Sequence, residues 1–466
     1  MEKSSNYKLN NLLLLSETGN LDIRNIFTDI NIFESIFTPT ISGYIEIVDA
    51  TNIISGTKSL PLLGNEQIYI DLEVPQHKYY GQSDPIKNSQ TSSNDWIDNK
   101  KYINFVGRVI DIRNRAMIRE RSQIYEIHFV SEEAVLDKNM KISKSYKNKT
   151  IDYIVESIVK DFGTNATYEI EKTSGVTNVV IPNWNPIQTI NWLASRSISM
   201  TYNTPTYFFF QTLYNDGPTS SDRISYNRSK FNKDFTSKFW FLSLDDMLAY
   251  DARKTIFYRP GNLPEQLPNF ISPALANYAY SNSSNYEITN AFNTLLNNSN
   301  GLYNSTLITH NITYKEWKKI PYNYKDQFDK FNHLANNQIY SGVQDVKGRR
   351  FDDQEYKESK VIFSTTGTKE NPNHLEKISS PRLSRLASLS YFRIRLELPG
   401  DCTLESGDIV SFEMPSPEAG GEDKFDKYYR GNFLITAIRH SINRNRYNIT
   451  MECSKESLEE KVNRNA

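Results

Sequence analysis

The sequence predicts a β-rich α+β chain in which two similar antiparallel β-barrels flank an α+β domain and a loop-rich insertion. Three observations predict it. Period-two alternation of apolar and polar residues fills both ends of the chain. A series of glycines and strands at 43–138 recurs in the same order at 391–461. Residues 141–250 change to apolar stripes of helical spacing.

Residues 1–140 are the predicted first barrel. Its strands are KLNNLLLLSE from Lys8, IRNIFTDINIFESIF from Ile23, SGYIEIVDATNII from Ser42, and the run after Gly64 that ends at Pro75. Pro39 and Gly43 punctuate them, and 55–64 is a loop. Leu12 to Leu15 belong to the first strand. Their apolar run is far shorter than the ~20 residues of a bilayer span, and no small-residue cleavage site follows, so neither a membrane segment nor a signal peptide is expected. Residues 76–101 are rich in Ser, Asn and Gln without periodicity, as an insertion loop is. Gly107 then precedes the strand RVIDIRNR, SQIYEIHFV returns, and Ser131 opens a short helix, SEEAVLDK.

The α+β domain occupies 141–250. Thr150 is placed to cap a helix whose Ile151, Ile154, Val155, Ile158 and Val159 share one stripe, and Gly163 stops it. Short strands follow around ATYEIEK and NVVIP. Asn185 is the N-cap of a second helix, PIQTINWLASRSI, with Pro186 at its first position and Gln188 at the capping-box position. TYFFFQTL and KFWFLSL are strands that bracket a polar loop at 215–237.

Residues 251–375 are the loop-rich insertion. Pro- and Asn-rich pieces surround a helix-like segment, EITNAFNTLLNN (287–298), and a strand-like one, YNSTLITHNITY (303–314), a candidate first strand for the second barrel. YKDQFDKFNHLANN (324–337) has a helical pattern, and SPRLSRLASLS from Ser380 reads as a linking helix.

Residues 376–466 are the second barrel. After the alternating strand YFRIRLEL (391–398), Gly407 precedes DIVSFEMP, closed by Pro415, as Gly64 precedes the strand closed by Pro75. Gly431 precedes NFLITAIRHSI as Gly107 precedes RVIDIRNR. YNITMEC enters Ser454 and a C-terminal helix, SKESLEEK, as SQIYEIHFV enters Ser131. From the second glycine to the serine is 24 residues in the first copy and 23 in the second. Three pairings in one order favour duplication of a small antiparallel barrel or sandwich. The alternative is two unrelated β-segments that share common turn glycines.

Composition narrows the function. With 466 residues the chain exceeds a single core, and 54 basic against 55 acidic side chains, without like-charge blocks, suggest neither specific nucleic-acid binding nor a membrane-surface patch. Two cysteines, Cys402 and Cys453, suggest free buried thiols and a reducing site of synthesis. Abundant Tyr (29) and Phe (24) in a chain of low hydropathy point to long polar loops or to surface covered by another subunit.

No catalytic, cofactor-binding or metal residue is predicted. His77, His128, His310, His333, His374 and His440 show no HExxH, no HxH and no cysteine at ligand spacing. GxSxG, GxGxxG and GxxxxGK[ST] are absent. The pairs Asp245–Asp246 and Glu132–Glu133 are adjacent in sequence and cannot straddle a cleft; acidic residues there suit the first turn of a helix. Tyr207 to Phe210 and Phe239 to Phe241 could build a sugar platform, but strands buried on both faces explain them more simply.

The motifs IPNWNPIQTINWLASRS, FWFLSLDDM, ELPGDCTLESGDIVSFEMP and YYRGNFLITAIRHSI, in this order and spacing, resemble the baseplate central hub protein of T-even-like contractile-tailed bacteriophages. The resemblance extends over most of residues 28–460 and is weakest at 76–101, 215–237 and 261–375. The family is similar to the hub portion of type VI secretion spike proteins, built from paired barrels with an α/β domain between them.

The resemblance implies a homotrimeric ring at the centre of a tail baseplate in the virion, assembled in the host cytoplasm. One side would meet the hexameric tail tube protein or a tube initiator, the other the trimeric central spike protein, with further baseplate proteins around it. Two like barrels in each of three subunits would present a pseudo-sixfold face to a sixfold tube. No lysozyme-like or needle segment follows Lys461, so the spike is expected to be a separate polypeptide. The expected function is therefore structural and non-enzymatic. The alternatives are a hub of a related contractile injection or secretion system and a carbohydrate-binding or carbohydrate-degrading tail protein.

Overall fold

The computed structural model describes residues 7–16, 19–52, 62–75, 100–164, 166–213, 237–258, 282–283, 285–311, 314–339, 359–365, 374–416 and 425–461. The N-terminal third holds β1 (Lys8–Ser16), β2 (Gly19–Asp22), β3 (Phe27–Ser35), β4 (Ser42–Asp49), β5 (Gln67–Pro75), β6 (Lys100–Arg119) and β7 (Ser122–Ser131). Next come α1 (Glu132–Asn139), β8 (Ile142–Lys149), α2 (Ile151–Asp161), β9 (Thr167–Ile170), β10 (Thr177–Trp184), α3 (Pro186–Ala194), β11 (Tyr207–Leu213), β12 (Ser237–Ser243) and α4 (Leu244–Met247). Then follow β13 (Lys254–Tyr258), β14 (Asn282–Ser283), β15 (Asn285–Ala291), α5 (Thr294–Ser299), β16 (Asn304–Asn311), β17 (Glu316–Asn323), α6 (Tyr324–Gln327), a 3₁₀ turn (Phe328–Lys330), β18 (Val361–Thr365) and α7 (Leu375–Ser388). The chain ends with β19 (Phe392–Pro399), β20 (Ile409–Glu413), β21 (Gly431–Asn443) and β22 (Arg446–Lys455).

Fourteen strands make one large, mostly antiparallel sheet. It consists of two runs of seven, β3-β4-β7-β6-β5-β1-β2 and β15-β19-β22-β21-β20-β13-β14, joined where β21 also pairs with β3. Numbered along the chain, both runs have the same spatial order: third, fourth, seventh, sixth, fifth, first, second. The runs differ at their ends, since β1 is antiparallel to β5 and β13 is parallel to β20. The intervening chain of the second run, with β16 to β18 and α7, enters between its third and fourth strands. Among the described residues the pairing closes neither run into a barrel.

Alternation builds this sheet. In β7 every second residue, from Gln123 through Tyr125, Ile127 and Phe129 to Ser131, is buried, and the intervening ones are half-exposed. One apolar core runs through both halves, from Leu12, Ile30 and Ile127 to Phe412, Ile435 and Met451. A second core packs the stripes of α2 and α3 against β11 and β12, with Ile154, Ile158, Ile190 and Leu193 meeting Phe209, Phe239 and Phe241. The sheet β11-β12-β9, the pair β8-β10 and the sheet β17-β16-β18 stand outside the large one.

Several expectations are corrected. The C-terminal helix SKESLEEK does not form: Ser454 and Lys455 continue β22, and Leu458 bridges Asn337 in extended backbone. Its charge pattern suits a solvated helix, yet Glu456 is buried against His333 and Arg385, and this contact overrides local propensity. EITNAF begins as β15, because residues 285–291 find a partner in β19; a short helix, α5, follows. YNSTLITHNITY supplies β16, which pairs with β17 and β18, so β15 rather than this segment stands beside β19. YKDQFDKFNHLANN forms only α6 and a 3₁₀ turn before its backbone bonds to Glu456 and Ser457.

Gly107 and Gly431 are not equivalent. Gly431 opens β21 at φ +99°, whereas Gly107 sits inside β6 opposite Ile68 and Ser131. The bulges do correspond: β6 is bulged against β7 between Val109 and Asp111, and β21 against β22 between Ile435 and Ala437. The glycine alignment was thus two residues out of register. Thr150 and Asn185 occupy N-caps without side-chain caps; Ile187 N–H donates instead to Asp137 Oδ1 at 2.7 Å. The loops expected at 76–101 and 215–237 lie almost wholly outside the described residues.

Candidate assembly interface

The two runs of the large sheet meet at β21. β21 is long enough to serve three neighbours. One edge pairs with β22, and the other takes β20 over Gly431–Leu434 and then, past the bulge, β3 over Ala437–Asn443. The register sets His440 opposite Ile32 and Ile442 opposite Ile30. Polar contacts fix it: Arg439 Nε donates to Asn31 Oδ1 at 2.7 Å, Ser35 Oγ to Thr436 O at 3.1 Å, and Arg444 Nε to Phe27 O at 2.8 Å. Tyr7 OH donates to Asn443 O at 2.6 Å, and burial, then the charge of Asp29, pushes its pKa up to about 12. Asn31 and Ile32 are fully buried beneath these bonds.

A second seam joins the sheet to the α+β unit. Leu213 N–H donates to Glu34 Oε1 at 2.8 Å, and Thr212 Oγ1 to Glu405 Oε2 at 2.9 Å. Gln211 donates to Glu133 Oε2 at 3.0 Å while its Oε1 accepts from Ile41 N–H at 3.2 Å. Three carboxylates gather here. Burial, with Glu34 and Asp408 nearby, pushes the Glu405 pKa up to about 7. Burial also raises Asp408 to about 6, although Arg253 lies 3.2 Å away.

The third seam is a buried ionic cluster. Arg385 on α7 lies 3.5 Å from Asp245 and 3.8 Å from Glu456, and donates to Asn332 O at 2.8 Å. His333 Nδ1 is 2.7 Å from Glu456 Oε2, and its ring stacks on Phe328. Burial opposes ionisation of Glu456, but His333, Arg385 and the Leu334 N–H outweigh it and hold its pKa below the usual range. This cluster fastens α4, α7, the 328–337 segment and the C-terminal segment together.

The side chains weighed for chemistry fall into structural places. His128 is 2.9 Å from Glu126, and buried His440 is 2.8 Å from Tyr447 OH. His310 lies on β16, and His374 precedes α7 at φ +50°. His77 lies outside the described residues. Among the described residues no three His, Cys, Asp or Glu side chains are grouped to hold a metal ion. Glu132 and Glu133 open α1 and bind Arg108 and Gln211; Asp245 and Asp246 open α4. Tyr207 to Phe210, Phe239 and Phe241 are buried, with Phe209 stacked on Phe239 at 5.1 Å, so they form core and not a sugar platform. Cys402 and Cys453 are buried and are not joined by a disulfide. No helix among the described residues is long and apolar enough to cross a membrane.

Sequence reasoning found the repeated strands but missed the β3–β21 junction. Its only sequence signal is the length of NFLITAIRHSIN, which exceeds what one hairpin needs.

Neither a family model nor a curated protein matches this chain. Solved structures do match in fold. A tail protein from Neisseria meningitidis MC58 is 9% identical, with a TM-score of 0.50 over 97% of each chain. The 43 kDa tail protein of prophage MuSo2 from Shewanella oneidensis is 9% identical, with a TM-score of 0.51 over 96% of this chain and 99% of that one.

Proposed function

We propose, from a chain that has the fold of tail proteins, a structural component of a phage tail: the central hub of the baseplate. Each seven-strand run is one barrel-like hub module, and three copies form a ring of six modules. Its sixfold-like face seats the tail tube and its threefold face seats a central spike. The α+β unit (141–250) and the insertion within 251–375 decorate that ring and meet other baseplate proteins. The protein is non-enzymatic and resides in the virion tail after assembly in the host cytoplasm.

One observation carries this: the two runs share strand order and are already joined edge to edge by β3 and β21. A chain that pairs two like modules head to tail holds one segment of a ring, and a closed ring needs only repetition of that contact. Light scattering on the purified protein, alone and mixed with its spike protein, should give three chain masses. A monomer under both conditions would contradict the ring.

A further inference from the structure

The β3–β21 junction joins the third strand of one module to the sixth strand of the other. The same two positions in the opposite modules are β15 and β6. Among the described residues, β15 pairs only with β19, and residues 110–119 of β6 pair only with β7, which leaves two strand edges open. Such edges are rows of unmet backbone donors and acceptors.

The registers make the equivalence explicit. Aligning the bulges superposes Val109 on Ile435, hence Phe129 on Cys453, Gly43 on Ile394, and Ile32 on Ile288. Ile32, under the junction, is 0% exposed, whereas Ile288 is 46% exposed. On the other edge Ile110 is 50% exposed, while its counterpart Thr436 is 0% exposed. Met117, Ile118 and Phe292 add further exposed apolar surface to the two edges.

We infer that the occupant of these edges is a second copy of this chain: β6 of one copy pairs antiparallel with β15 of the next, setting residues 111–117 opposite 286–292 once the bulges between Arg113 and Ala116 and between Ile288 and Asn290 are counted. The inference rests on the ring reading and adds to it the strands that close the ring. Modules then follow one another by one repeated contact, within a chain through β21 and β3 and between chains through β6 and β15.

Two kinds of variant of the full chain test it. Arg113→Cys is combined in turn with Ile288→Cys, Thr289→Cys and Asn290→Cys; native Cys402 and Cys453 are fully buried and out of an oxidant's reach. Mild oxidation should yield linked dimers and trimers on a denaturing gel in at least one combination. The second variant is Ala291→Pro. Phe292 N–H donates to Tyr391 O at 2.7 Å, so the Ala291 N–H points from the opposite, open edge. Proline there should leave the melting temperature unchanged and weaken self-association about tenfold, as loss of one interstrand bond would. Trimers that never cross-link, or an Ala291→Pro protein that assembles like the parent, would overturn the pairing and leave the ring standing. Monomers throughout would overturn both, and a ladder running past three chains would keep the edge pairing and overturn the closed ring.

Discussion

Gly107 and Gly431 look alike in sequence and do different work. A Cβ at Gly107 would lie 2.8 Å from Phe105 and 2.9 Å from Val130 O, in an interior where neither gives way. At Gly431 the backbone is left-handed, and a Cβ would collide with the Glu459 carboxylate. Valine at either position should cost about 1–3 kcal/mol, read as a lowered melting temperature. An unchanged value for Gly107→Val would show that its core accepts the methyls. Glu405 gives a pH test. Its folded pKa, about 7, lies above the usual 4.5, so the fold favours the protonated acid. The contribution is complete below 4.5 and is lost as pH rises through 7. Glu405→Gln should therefore melt higher than the parent at pH 8, on the order of 3 kcal/mol of stability, and converge with it toward pH 5. A constant difference across that range would assign the carboxylate elsewhere. The environment of Glu405 was not legible beforehand, because Glu34 and Thr212 reach it from strands distant in sequence.

Among elements, those with a strong period were legible. β4, β7, α2, α3 and β19 follow alternation or helical stripes that burial then satisfied. SKESLEEK failed for a reason that no local pattern carries: Glu456 meets Arg385 and His333, 71 and 123 residues away by number. The 287–291 segment failed likewise, since pairing with β19 outweighed its helix-compatible residues. The ionic cluster yields an element-scale prediction. Removing Glu456 strips buried Arg385 of one of its two carboxylates and leaves His333 Nδ1 and the Leu334 N–H without that partner, so Glu456→Ala should destabilise the chain by roughly 3–5 kcal/mol. The loss should begin at the seams around α7, visible as faster amide exchange in 375–388 than in β7. Its pH dependence has the opposite sign to that of Glu405. Glu456 has a lowered folded pKa, so its contribution is whole above the usual 4.5 and fades as pH falls through the lowered value. Equal exchange rates in the parent and the variant would contradict this.

At the scale of the molecule, the repeated strand order was legible because Gly64 and Gly407, the strands that follow them and their spacing recur in the chain. The Gly107–Gly431 register was not, because glycine suits both a left-handed strand opening and a crowded strand interior, and the sequence does not mark which of the two a position holds. Nor was the junction: a strand edge records no partner in its side-chain alternation. The proposed ring requires that the contact made within the chain by β3 and β21 be repeated between chains. Electron microscopy of the purified assembly viewed down its axis tests this most directly. Six similar densities around an open centre, contributed by three chains, are the predicted result; three unlike lobes, or particles of a single chain, would contradict it.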